Sequence, residues 1–94
     1  MGSYERHTAT PAGQALRTAE EFLTARIPLE KTTEEAHAIT LRGGDGSVVI
    51  TAHRHGLRTV VSATTDQVGT SRLDVEVQHY LNQLPYQPGD VPKL

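Results

Sequence analysis

The first hydrophobic pattern in the chain has the period of a helix. Apolar side chains recur at three- and four-residue steps, at Ala12, Ala15, Leu16, Ala19, Phe22, Leu23 and Ile27. This spacing places them on one stripe of a helix over residues 11 to 26. Thr10 suits the N-cap, Pro11 suits the first helical position, and Pro28 disfavours helical geometry at the residue before it. We therefore expect one amphipathic helix, followed by a polar link at residues 29 to 34.

Three short segments rich in β-branched residues follow this link, at residues 36 to 42, 47 to 54 and 57 to 65. Gly43-Gly44-Asp45-Gly46 separates the first two segments, and His55-Gly56 separates the second from the third. Glycine adopts the positive φ angles that tight reversals need. The pattern predicts a three-stranded antiparallel meander.

The two reversals also predict the register of the meander. A four-residue first loop sets Arg42 opposite Ser47, and a two-residue second turn sets Arg54 opposite Leu57. Both pairings select the same inward face, which carries His37, Ile39, Leu41, Val48, Ile50, Ala52, Thr59, Val61 and Ala63. A one-residue slip would send every side chain to the other face, so this agreement supports the predicted core.

A second helical stripe lies near the end of the chain and consists of Leu73, Val77, Tyr80, Leu81 and Leu84. Ser71 and Asp74 have the spacing of a capping box, and Pro85 ends the pattern. Strict alternation over residues 72 to 78 also allows a fourth strand there. The cap, the later helical spacing and Pro85 favour the helix.

These elements predict a single α+β domain over residues 10 to 86. Its architecture would be a two-layer sandwich of order α-β-β-β-α, with the three-stranded meander packed against two helices. We expect a flexible segment at residues 1 to 9 and a flexible tail containing proline and glycine at residues 87 to 94. The 94 residues suffice for one core and are too few for two.

Composition narrows the possible functions. The net charge is −2, with acidic and basic residues mixed along the chain, which argues against a phosphate-binding surface. Cysteine is absent, so disulfides, thiolate metal sites and cysteine nucleophiles are excluded. The N-terminus lacks the apolar region of a signal peptide, and no apolar run approaches membrane-spanning length. We expect a cytoplasmic protein with no membrane partner.

His53-Arg54-His55 is the strongest candidate for chemistry, because histidines two apart on a strand share a face and can ligate one metal ion. The predicted register argues against that role, since His55 would lie in the turn and His53 would face Arg58. His37, on the inner face beside Ala52, is a conceivable general base, but an edge histidine bonded to backbone is commoner. We predict no catalytic, cofactor-binding or metal-binding residues.

Nucleic-acid binding is a further alternative, because helix, three strands, helix is also the element order of double-stranded-RNA-binding domains. Such domains carry a basic cluster at the start of the second helix. Here that position is Ser71-Arg72-Leu73-Asp74, with one arginine and one acid. We expect no nucleic-acid partner.

The opposite face of the predicted sheet has few charges and many small β-formers, which is typical of a wetted sheet or of one covered by another chain. Our leading hypothesis is a non-enzymatic interaction module that binds a protein partner or a second copy. It would use this face or an unpaired edge at residues 36 to 42 or 57 to 65. The alternative is a small metal-binding protein or enzyme that uses His53 with His37 or His55. The predicted interaction surface comprises Thr40, Val49, Thr51, His53, Arg58, Val60 and Ser62.

Overall fold

The computed structural model describes residues 2 to 85 and shows an α+β fold of two layers. Its elements are, in chain order, β1 (Ser3–Thr8), α1 (Ala12–Arg26), β2 (Leu29–Glu35), β3 (Ala38–Gly43), β4 (Gly46–His55), β5 (Arg58–Thr65) and α2 (Arg72–Gln83). The strands form one five-stranded sheet of order β1-β5-β4-β3-β2. All neighbouring pairs are antiparallel.

Helix α1 matches the predicted stripe, and its buried side chains are Ala15, Leu16, Ala19 and Leu23. Pro11, rather than Thr10, occupies the N-cap, and no side chain caps this end. Ile27 is already extended, with φ of −134°, because Pro28 excludes helical geometry from the residue before it. The apolar period therefore predicts where the helix lies, and Pro28 determines where it ends.

Helix α2 confirms the helical interpretation of the second stripe and excludes a strand at residues 72 to 78. The Ser71 hydroxyl accepts a 3.0 Å hydrogen bond from the Asp74 backbone amide, as the capping-box spacing predicts. Within residues 2 to 85, neither helix combines the length and apolarity needed to cross a membrane.

The β3–β4 hairpin has the predicted register. Arg42 lies opposite Ser47, and Ile39 lies opposite Ile50. Gly43 and Gly46 form one further pair, which leaves a two-residue turn between them. Gly46 has φ of +121°, a conformation that residues with a side chain rarely adopt.

The β4–β5 hairpin departs from the predicted register by two residues. Ala52 lies opposite Val61 rather than Thr59, and the turn consists of Gly56 and Leu57, with Gly56 at φ of +67°. Side chains alternate between faces with a period of two, so the same residues stay on the inner face. His55 consequently belongs to β4, where it faces Arg58.

Two strands were missed by the sequence prediction, which gave a meander of only three. The expected flexible segment forms β1 and pairs with β5. The expected polar link forms β2 and pairs with β3. The predicted edges at residues 36 to 42 and 57 to 65 are therefore interior, and β1 and β2 are the true edges. The tail predicted at residues 87 to 94 lies outside the described residues.

The core lies between the inner face of the sheet and both helices. Its strand residues are Ile39, Leu41, Val48, Ile50, Ala52, Val61 and Ala63. Its largest aromatic member is Tyr80 of α2, which is fully buried. The Tyr80 hydroxyl donates a 2.6 Å hydrogen bond to the Ala15 carbonyl and so joins α2 to α1. Because both helices pack on this face, the other face of the sheet has no covering layer within residues 2 to 85.

Candidate interaction surface on the outer sheet face

The uncovered side of the sheet, called here the outer face, carries side chains that alternate with the buried ones. They are Ser3, Glu5 and His7 of β1; Glu30, Thr33 and Glu35 of β2; Ala38, Thr40 and Arg42 of β3; Ser47, Val49, Thr51, His53 and His55 of β4; and Arg58, Val60, Ser62 and Thr64 of β5. The strand pairings arrange them in rows across the sheet. These rows determine where charge and apolar surface lie.

The centre of the outer face is uncharged. One row across the sheet consists of Ser3, Thr64, Val49, Thr40 and Thr33. The next row consists of Glu5, Ser62, Thr51, Ala38 and Glu35, so its only acids stand on the two edge strands. Val49, in the middle, keeps 41% of its surface exposed. The charged residues of these rows thus lie at the rim, and depletion of charge from the centre is a feature of protein interfaces.

One end of the outer face extends into a basic projection. Strand β3 pairs with β4 only as far as Thr51, and β1 pairs with β5 only as far as Thr59. Residues 53 to 58, here called the hairpin tip, therefore extend beyond β3, and residues 55 to 58 extend beyond β1 as well. The tip contains His53, Arg54, His55 and Arg58 and no acid. Leu57, at its end, is 87% exposed.

The edge strand β2 carries the opposite charge. Its acids are Glu30, Glu34 and Glu35, and together we call them the acidic edge. Lys31 is the only basic residue of this strand, and its ammonium group is shared between Glu34 and Glu20 of α1, with 3.1 Å to Glu20. The hydrogen bond to Glu34, and to a smaller extent that to Glu20, raises the pKa of Lys31. The sequence prediction missed the acidic edge because it assigned these residues to a link.

The structure places all seven residues of the predicted surface on the outer face. Four of them are half-buried between their neighbours, namely Thr40, Thr51, Val60 and Ser62. The other three, Val49, His53 and Arg58, are exposed. His53 lies opposite Val60, so the expected pairing of His53 with Arg58 is wrong. Their role in binding stays a prediction.

The histidines lie elsewhere than the sequence predicted. His37 is exposed in the turn between β2 and β3, although its carbonyl accepts a 2.9 Å hydrogen bond from the Ala52 amide. Because the turn takes its side chain out of the pleat, the predicted inner-face position is wrong. The rings of His37 and His53 lie 5.3 Å apart between centroids. Among residues 2 to 85, no three histidine, aspartate or glutamate side chains are close enough to hold a metal ion together.

A separate polar cluster lies away from the outer face, around the buried Asp74. Its carboxylate accepts hydrogen bonds from the hydroxyls of Tyr4 at 2.6 Å and Ser71 at 2.7 Å. The Thr65 hydroxyl lies 2.8 and 2.9 Å from its two oxygens. The bond to Asp74, followed by burial, raises the pKa of Tyr4. The three hydroxyl donors belong to β1, to the end of β5 and to the N-cap of α2. The Asp74 carboxylate therefore joins β1 and β5 to α2.

The described residues thus contain two polar arrangements of different character. The Asp74 cluster is closed and satisfied internally, whereas the outer face is open and bordered by charges of both signs. An open face of this kind is suited to contact with another macromolecule. Neither a protein-family model nor a curated protein sequence matches this chain.

Proposed function

We propose that the chain is a non-enzymatic interaction module that forms a homodimer through its outer face. The observation that carries this proposal is the uncovered, uncharged centre of a five-stranded sheet, with Val49 exposed in its middle. Five strands about 4.8 Å apart, with roughly six residues each at about 3.3 Å, give a projected area on the order of 500 Å². That is of the same order as the roughly 800 Å² that each partner buries in a standard interface.

The face is a better candidate than either edge. Strand β2 is charged and has a register shift between Lys31 and Thr33, and both features oppose pairing with another strand. Strand β1 carries charged residues and is tied to the chain after α2: the Arg6 guanidinium donates a 2.9 Å hydrogen bond to the Leu84 carbonyl. These features support docking through the face and disfavour addition of a strand.

Two matched valine substitutions test the proposal. Val49 on the outer face and Val75 on α2 are exposed to 41% and 39%, so Val49→Glu and Val75→Glu change side chains of nearly equal exposure. In a face-to-face dimer, Val49→Glu buries a carboxylate from each copy, and an unpaired buried charge costs several kcal/mol.

Sedimentation equilibrium at tens of micromolar protein measures the effect. We expect the wild-type chain and Val75→Glu to be dimeric and Val49→Glu to be monomeric, with all three equally folded by circular dichroism. A monomeric wild-type protein contradicts the proposal. So does a Val49→Glu variant that dimerises as well as the wild type.

The pair formed by His37 and His53 supports a second candidate function, binding of a divalent transition metal. Two exposed imidazoles 5.3 Å apart can supply two ligands to Zn²⁺ or Ni²⁺, with water completing the shell. Titration with Zn²⁺ should then shift the ring signals of both histidines together and saturably in NMR spectra. His53→Ala should abolish the response, whereas His79→Ala on α2 should leave it unchanged. An unaltered spectrum at millimolar Zn²⁺ rejects this candidate.

A further inference from the structure

The basic hairpin tip and the acidic edge adjoin the same corner of the outer face. The tip begins just past Thr51, which lies opposite Ala38. Ala38 in turn lies opposite Glu35, the last residue of β2. The tip therefore lies at the end of the strands, and the acidic edge runs along the side next to it. The two charged regions are thus related by about a quarter turn within the plane of the sheet.

We propose that the second copy docks on the outer face with its strands crossed at roughly 90°, so that each hairpin tip lies over the acidic edge of the other copy. This inference rests on the proposed homodimer and specifies its geometry. One diagonal of the face starts at the corner between the hairpin tip and the acidic edge. A two-fold axis along this diagonal exchanges the end of the sheet that carries the tip with the side that carries the acidic edge. The contact between the hairpin tip and the acidic edge then forms twice, once in each direction, and the assembly is closed.

Two of the other three two-fold arrangements bring like charges together. An axis along the strands places one hairpin tip over the other, with Arg58 of each copy near its counterpart. An axis across the strands places one acidic edge over the other. The remaining diagonal places the tip over β1, whose outer side carries a single acid, Glu5, with its carboxylate 3.3 Å from His7, whereas the outer side of β2 carries Glu30 and Glu35. Opposite charges that meet at an interface favour that orientation, and like charges that meet disfavour it. The crossed arrangement over β2 is therefore favoured.

The charge that faces the tip in this dimer is chiefly that of Glu35, because Glu30, the other acid of β2 on the outer face, lies opposite Arg42 of β3. The tip contributes Arg58, His53 and His55 from its own outer side. Arg54 belongs to the opposite side, where its Nε atom donates a 3.1 Å hydrogen bond to the Gly56 carbonyl. Arg58 and Glu35 are consequently the two residues whose charges should be reversed.

Reversal of these two charges tests the arrangement. Arg58→Glu places acid over acid at both contacts of the dimer, and Glu35→Arg places base over base. Each variant alone should dimerise at least roughly tenfold more weakly than the wild type. An equimolar mixture of the two variants should recover dimerisation, because both contacts of the mixed dimer again join opposite charges. Arg17→Glu and Glu21→Arg, with the same charge changes on the exposed side of α1, should have no effect.

The results separate this inference from the proposal beneath it. A wild-type dimer that Val49→Glu disrupts, but that neither charge reversal weakens, overturns the crossed arrangement and leaves the face as the interface. Stronger dimerisation of Arg58→Glu alone also overturns it. Weakening by both variants without recovery in the mixture also overturns it. A wild-type chain that stays monomeric contradicts both the proposed homodimer and its crossed geometry.

Discussion

The Tyr4 hydroxyl donates a 2.6 Å hydrogen bond to the buried carboxylate of Asp74, 70 residues further along the chain. This bond joins β1 to the first turn of α2. The backbone approaches closely at the same point, because a Cβ atom on Gly2 would lie 2.0 Å from Asp74 Oδ2. The N-terminal strand is therefore held by side-chain hydrogen bonds as well as by its pairing with β5.

Loss of the Asp74 carboxylate should destabilise the fold more than loss of any one donor. Asp74→Ala leaves the hydroxyls of Tyr4, Thr65 and Ser71 without their shared acceptor, and we expect a cost of about 3 kcal/mol in the free energy of unfolding. Tyr4→Phe removes one hydrogen bond and should cost about 1 kcal/mol. Urea unfolding of both variants measures these values.

The double variant provides the control for this prediction. If Tyr4 acts through Asp74, Tyr4→Phe should cost markedly less in the Asp74→Ala background than in the wild type. An equal cost in both backgrounds would show that the two residues act independently.

Removal of residues 1 to 8 should destabilise the sheet, because β1 covers the edge of β5 from Ser3 to Thr8. Without it, the backbone groups of β5 that pair with β1 become an unpaired edge open to aggregation. We expect a lower melting temperature by circular dichroism and an increase in light scattering on heating. Tyr4→Phe separates the hydroxyl contact from the strand pairing. A truncated chain that melts at the wild-type temperature would show that β1 adds nothing to stability.

The sequence identified the elements whose apolar residues are periodic. Both helices and the inner face of β3, β4 and β5 follow from that periodicity, since their apolar side chains form the core. Strand β2 has only one apolar residue, Leu29, and β1 has only Tyr4. Both are edge strands, and pairing with the neighbouring strand and side-chain hydrogen bonds stabilise them. Neither contribution produces an alternation of apolar residues that a sequence pattern could reveal.

The candidate surface was predictable only in part for the same reason. The seven predicted residues lie on the outer face despite the register error at Gly56, because a shift of two residues preserves the face. Its charged rim was missed, since Glu5 and Glu35 belong to the edge strands. The contact between His37 and His53 also escaped prediction, because it depends on the side-chain direction in a turn.

The β4–β5 turn offers a test of the corrected register. Gly56 has φ of +67° and open space around it, so Gly56→Ala introduces strain without a clash. The left-handed conformation costs a residue with a side chain about 1 kcal/mol, and asparagine tolerates it better than alanine. Gly44 has open space and no positive φ, so Gly44→Ala should be neutral or slightly stabilising.

Thermal melts of Gly56→Ala, Gly56→Asn and Gly44→Ala distinguish these effects. We expect the lowest melting temperature for Gly56→Ala, a smaller decrease for Gly56→Asn and no decrease for Gly44→Ala. The same melting temperature for Gly56→Ala and Gly44→Ala would exclude the left-handed conformation at Gly56.

Tyr80 predicts how stability depends on alkaline pH. Burial raises the pKa of its hydroxyl, which donates a hydrogen bond to the Ala15 carbonyl. A pKa that is higher in the folded state gives stability that is complete below the unfolded value of about 10 and is lost as the pH rises above it. The free energy of unfolding should therefore fall above pH 10, by up to about 1.4 kcal/mol per pH unit from this group.

Tyr80→Phe isolates this contribution, because the other titrating groups are unchanged in the variant. At pH 8 the variant should be less stable than the wild type by about 1 kcal/mol, through loss of the hydrogen bond to Ala15. Above pH 10 it should lose stability less steeply than the wild type, since the buried hydroxyl is gone. Urea unfolding at pH 8, 10 and 11 gives both slopes. Equal slopes for the two proteins would show that ionisation of Tyr80 is not what weakens the fold in alkali.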